Sequence, residues 1–197
     1  MDAQLLAEIE ACIQQKAMAS FYRTDLPRDS FLVGVPLSVT QEALTICLFD
    51  RQGEDDGVVC FHADDIDMMQ QRDAYTHRIA QLVSRTSHDS NICDATGGWM
   101  CDSIEAVLHR AMNMGCLVGV HSEVNAGDVT VHYGIVQQVD DETLMLETLN
   151  ETGGRDACVL VDILSVTAVE HSTKACRARS FLAERCVMQQ GAAPQGA

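Results

Sequence analysis

A chain of 197 residues, 47% of them hydrophobic, is long enough for one ordinary domain or two small ones and apolar enough to bury a core in either. Its formal charge of −16 repels phosphate backbones and anionic bilayers, so neither a nucleic-acid partner nor a membrane is expected. No stretch approaches the roughly 20 uninterrupted apolar residues of a membrane span, and the acidic start "MDAQLLAEIEACIQQ" is unlike an export signal, which predicts a cytoplasmic protein whose nine cysteines are free thiols.

The first element is a helix over "LLAEIEACIQQKAM", with Leu5, Leu6, Ile9, Cys12, Ile13 and Met18 near the helical period and Asp2 as N-cap. A short β run "SFYRT" follows, then a strand through Gly34, a polar turn, and a strand in which Leu44, Ile46 and Leu48 alternate inward. After the acidic turn "DRQGEDDG", "VVCFHADDIDMM" reads as a strand, a tight turn and a further short strand, and "DAYTHRIAQLV" as a closing helix.

The same order then recurs about one hundred residues on. "DSIEAVLHRAMNMG" is a helix with Asp102 as N-cap, Glu105 three residues on and Gly115 as C-cap. "CLVGV", the strand through Gly134, the alternation of Leu144 and Leu146, the turn "NETGGRDA", "CVLVDILSVTAV" and the basic helix "STKACRARSFLAERC" complete the second copy. Cys12, Cys60 and Cys158 fall within apolar periodic segments and are expected in cores.

A helix, five short strands with one bent at glycine, and a closing helix is the order of a small closed β-barrel. The expected architecture is therefore mainly β: two tandem five-stranded SH3-like barrels, each with an N-terminal and a C-terminal helix. The boundaries are residues 1–86 for the first repeat, 87–101 for a polar linker, 102–188 for the second repeat and 189–197 for a disordered Pro/Gly/Ala tail.

Gly134, Val136, Val139 and Asp140, followed by Leu144 and Leu146, are similar to the first motif of the Sm-like (LSm/Hfq-type) β-barrel family. Gly34, Pro36 and Val39 follow it in the first copy, with Thr40 in place of the aspartate. The resemblance implies the barrel fold and a habit of associating through edge strands. RNA binding in that family uses an asparagine in this motif and an Arg-Gly in the second; here Thr143 or Leu144 takes the first place, and "VLVDILSV" has Asp162 but no arginine or glycine.

No phosphate-binding loop, nucleophile elbow, His-Glu-x-x-His or Cys-x-x-Cys occurs, so neither enzymatic activity nor a cofactor is expected. The weak metal candidates are His88, Cys93, Cys101 and Cys116, whose spacing lacks the close ligand pair of zinc sites. His121-Ser122-Glu123 are adjacent and cannot align as a proton relay, and the runs at Asp64, Asp65, Asp67 and at Asp140, Asp141, Glu142 read as acidic turns. Trp99, the single tryptophan, is either an exposed anchor for a partner or a pin holding the linker. Between Ser172 and Met188 the chain is locally basic, through Lys174, Arg177, Arg179 and Arg185.

Three functions follow. The foremost is a non-catalytic interaction or self-assembly module, binding a protein partner or itself as a homo-oligomer. The alternatives are an Sm-like RNA-binding protein using the basic stretch, and a zinc or thiol protein using the linker cysteines.

Overall fold

The computed structural model describes residues 1–27, 30–86, 99–125 and 128–191, the side chains of 86 and 187–191 excepted. In chain order it contains α1 (Ala3–Gln15), β1 (Ala19–Arg23), β2 (Leu32–Val39), β3 (Ala43–Phe49), β4 (Asp55–His62), β5 (Ile66–Gln71) and α2 (Ala74–Thr86). The second copy supplies α3 (Ile104–Met114), β6 (Leu117–Asn125), β7 (Asp128–Val139), β8 (Thr143–Leu149), β9 (Arg155–Asp162), β10 (Val166–His171) and α4 (Lys174–Gly191). One 3₁₀ turn, Ala63–Asp65 or Ile163–Ser165, joins β4 to β5 and β9 to β10.

The repeat reads through to the caps. Asp2 caps α1 by accepting from the Gln4 amide, and Gly115 ends α3 in the left-handed region at φ 59°. The N-cap of α3 is Ser103 rather than Asp102: its side chain accepts from the Ala106 amide. Thr40 Oγ1 and Asp140 Oδ1 do the same work in the two copies, each accepting the amides two and three residues on to close the next turn. Gly34 and Gly134 allow close strand approach, since a Cβ would fall 2.2 Å from the Cys47 carbonyl oxygen or 2.7 Å from that of Glu147.

The two closed barrels do not form. All ten strands lie in one open antiparallel sheet, in the order β5-β1-β2-β3-β4-β10-β6-β7-β8-β9. Closing a barrel would require β4 to bond β5 of its own copy, but the free edge of β4 is taken by β10, in the register Phe61↔Ala168, Cys60↔Val169, Val59↔Glu170 and Val58↔His171. The backbone groups are satisfied equally well either way, so pairing between copies replaces closure within one.

That exchange makes β4 a strand with two buried faces. Val59 and Phe61 point into a core with Ile9, Phe21, Leu44 and Ile46, whereas Val58 and Cys60 point into a core with Val107, Leu108, Val118, Leu144 and Leu146. Its partner β10 divides likewise, Ala168 entering the first core and Val166 and Val169 the second. A third cluster lies on the other side of the first half, where Val33, Val35, Cys47 and Phe49 meet Ile79 of α2. Hence β3 is buried on both faces instead of alternating, while its counterpart β8 alternates as expected.

Cys12 and Cys60 are buried in these cores. Cys158 is exposed, contrary to the sequence expectation, because β9 is an edge strand with no neighbour on its outer side among the described residues. Among the described residues no helix is long and apolar enough to cross a membrane.

Candidate functional site: the junction and the open edges

The junction between the copies carries more than a β ladder. At one end, Asp50 and Glu54 of the turn between β3 and β4, with Asp55 and Asp56 at the start of β4, face the first turn of α4. Lys174 Nζ bonds the carboxylates of Asp50 and, at 2.7 Å, Glu54, while the Lys174 amide donates to Asp56 Oδ1 at 2.7 Å. Arg177 donates to the Asp55 carbonyl at 2.8 Å and to the Ser172 carbonyl. Gly57, at φ 79°, lets the strand pass: a Cβ there would lie 2.4 Å from the His171 carbonyl oxygen.

At the other end, Arg23 reaches across from β1. Its guanidinium pairs with Asp25, lies 4.4 Å from the centre of the Phe61 ring and donates to the Thr167 carbonyl of β10 at 3.3 Å. His62 Nε2 meets the Val166 carbonyl at 3.1 Å, and Thr40 Oγ1 donates to the Asp102 carbonyl at 2.8 Å. Five polar fasteners thus flank an apolar ladder.

Trp99 is 6% exposed and stacks on His171, with ring centroids 3.8 Å apart. It pins the end of the linker against the second core. Burial holds the His171 imidazole below its ordinary value, against the contact of Nδ1 with the Leu117 carbonyl at 3.3 Å.

The basic stretch singled out from sequence is largely engaged. Lys174 and Arg177 bind the first copy, Arg179 sits 3.9 Å over the Tyr133 ring, and Arg185 lies 5.1 Å from the Phe181 ring. His88 and Cys93 lie outside the described residues. Cys101 and Cys116 are half-buried beside the second core, and burial raises both thiols above their ordinary value. No group of three or more potential metal ligands gathers among the described residues.

A polar network that sequence reading passed over locks α4 to the sheet. Glu170 of β10 accepts from Thr173 Oγ1 at 3.0 Å, from the Tyr133 hydroxyl of β7, and meets His121 Nε2 of β6 at 3.4 Å. The signal was the alternation of Glu170 within β10, set against Gln70 at the matching position of the first copy. Burial opposes ionisation of Glu170, but the bonds from His121, Tyr133 and Thr173 outweigh it and hold the carboxyl below its usual range. The same burial and the Glu170 charge push the Tyr133 hydroxyl up.

A group with a depressed folded value stabilises above its unfolded value and loses that contribution as pH falls through the folded one. Glu170→Gln is therefore expected to cost about 1–2 kcal/mol at pH 7, and the difference should shrink below the ordinary glutamate value of 4.5. Urea unfolding of both proteins at pH 7 and near pH 3 checks this.

The sheet's two outer edges repeat the junction's apolar part. By the 100-residue offset, Val58, Val59, Cys60 and Phe61 correspond to Cys158, Val159, Leu160 and Val161 of β9, and Ala168 and Val169 to Met68 and Met69 of β5. Cys60 is 2% exposed and Leu160 70%; Ala168 is fully buried and Met68 48% exposed. The fasteners are not repeated. Lys174 and Arg177 correspond to Ala74 and His77, Asp50, Glu54 and Asp55 to Asn150, Gly154 and Arg155, and Gly57 to Ala157.

Comparison of the chain with known protein families, with curated proteins and with solved structures finds no match.

Proposed function

We propose that the protein is a non-catalytic self-assembly module, in which the β5 edge of one chain accepts the β9 edge of a second. The observation that carries this reading is the β4–β10 junction, where the chain already pairs the equivalents of those two edges with its own residues. Repeating that register sets Met68 opposite Val161, Met69 opposite Leu160, Gln70 opposite Val159 and Gln71 opposite Cys158. Leu160 and Cys158, exposed now, would then enter the second chain's side of the interface as Cys60 and Val58 do within the chain.

The contact is heterologous, head to tail, so it propagates to a closed ring or an open filament according to the curvature of the sheet. Without the Lys174 and Arg177 pairs the contact between chains is weaker than the one within, and association is concentration-dependent. Charge argues against RNA as the edge ligand: the turns after β2 and β7 carry Glu42 and Asp140, Asp141 and Glu142, and Lys174 and Arg177 are already paired.

Sedimentation velocity from about 1 to 200 μM is the test, with weight-average mass expected to climb above that of one chain. A single-chain mass throughout that range overturns the proposal.

A further inference from the structure

The two copies differ beneath their closing helices. Under α2, Val33, Val35, Cys47, Phe49 and Ile79 form a buried cluster, closed by Met18, Leu82 and Val83. One hundred residues on, the same five places hold Tyr133, Ile135, Glu147, Leu149 and Arg179, all only half-buried. Phe49 has become Leu149 and Val83 has become Ala183, while two core positions have become charged. The start of α4 is held by polar contacts through Thr173, Lys174, Arg177 and Arg179, with Cys176 buried beneath it and Leu182 and Ala183 close against Gly153.

Of the changed positions, Ile135, Leu149 and Ala183 line an open groove of about 530 Å³ that runs between α4 and the residues following α3, whereas Tyr133, Glu147 and Arg179 lie outside it. Leu117, Ile135 and Leu149 form its apolar floor, Phe181, 56% exposed, forms its rim, and Ser180 and His171 supply hydrogen-bonding groups. Arg177 and Glu184 also line it, one cation and one anion, so the site has no net formal charge. The size falls in the range of small-molecule sites, and a mostly apolar wall with few polar groups is their usual composition.

We propose that this groove binds a neutral small molecule with an apolar body of one or two rings and a single hydrogen-bonding end. The guest's rings lie against Ile135, Leu149 and Ala183, where the first copy has Val35 and the larger Phe49 and Val83, and its polar end meets Ser180 or His171. A charged guest is disfavoured because Arg177 is committed to the Ser172 and Asp55 carbonyls and Glu184 offsets it. The site stands independently of strand-edge assembly, since none of its lining residues lies on β5 or β9.

Trp99 makes the test direct: it is the only tryptophan and it stacks on His171 at the groove wall. Dansylamide, a neutral two-ring sulfonamide, accepts energy from tryptophan. Titrating it against the protein should give saturable, one-to-one emission sensitised by Trp99. Leu149→Phe with Ala183→Val, which restores the first copy's side chains, should weaken binding at least tenfold (~1.4 kcal/mol) without lowering the urea midpoint. In the unmodified protein, methyl resonances of Leu117, Ile135 and Leu149 should shift on binding. Absence of saturable emission, equal binding by the filled variant, or methyl shifts confined to other residues would each overturn the proposal.

Discussion

Val169→Asp is expected to cost about 4 kcal/mol or more, enough to consume most of the stability of a typical domain of this size. Val169 is 1% exposed and sits in the middle of the sheet, bonded to β4 through Cys60 and to β6 through Val120. Its side chain enters the core shared by the two copies, beside Val58, Cys60 and Val118. A carboxylate there has no cation within that core, and an unpaired buried charge is among the largest single-site penalties. The internal control is Met69→Asp, the matching change on the open β5 edge. Met69 is half-buried at an edge, so the carboxylate can turn to water, and the cost should stay below about 1.5 kcal/mol. Urea unfolding followed by far-ultraviolet circular dichroism compares the two. Equal costs at 69 and 169 would mean that β10 is not a central strand.

The duplication was legible because its signals are local. A cap, a turn residue and a two-residue alternation each depend on neighbours in the chain, and Asp2, Gly115, Gly34 and the Leu144–Leu146 alternation all stand where the pattern put them. The partner of β4 was not legible on the same grounds. "VVCF" offers a strand with two apolar faces, and such a strand is compatible with either its own β5 or the other copy's β10.

The discriminating residues were present but needed the two copies to be compared for charge. The turn "DRQGEDDG" has four acids against Arg51 where "NETGGRDA" has two against Arg155, and the helix start "STKACRAR" is basic where "DAYTHRIA" has only His77 and Arg78. Acid in the first copy and base in the second is the pattern of an asymmetric junction, with the excess charges facing each other. The same comparison would have pointed to the groove beside α4, since Phe49 and Val83 shrink together at 149 and 183, both of which line it. Trp99 was beyond reach, because its stacking partner His171 lies 72 positions away in a strand that the sequence marks only as β.

Leu160→Lys is expected to weaken association between chains by at least about 30-fold, roughly 2 kcal/mol, while leaving the single chain's unfolding free energy within about 0.5 kcal/mol. The asymmetry follows from exposure: Leu160 is 70% exposed in the single chain, so a lysine there remains solvated until a second chain covers it. Opposite it in the repeated register stands Met69, which offers no counter-charge. Asn150→Asp with Ala74→Lys should act in the opposite direction, because it installs at the open ends the Lys174–Asp50 pair that fastens the junction within the chain. An exposed pair of this kind contributes about 0.2–1 kcal/mol, so the gain should be a few-fold at low salt and fade near 1 M, where the Debye length has fallen to about 3 Å. Loss at 160 combined with salt-sensitive gain at 74 and 150 would fix both the edges and their polarity, since a two-fold contact through β5 alone or β9 alone brings residues 74 and 150 to different interfaces. If the double substitution leaves the association constant unchanged at every ionic strength, the chains do not meet in the register of the internal junction.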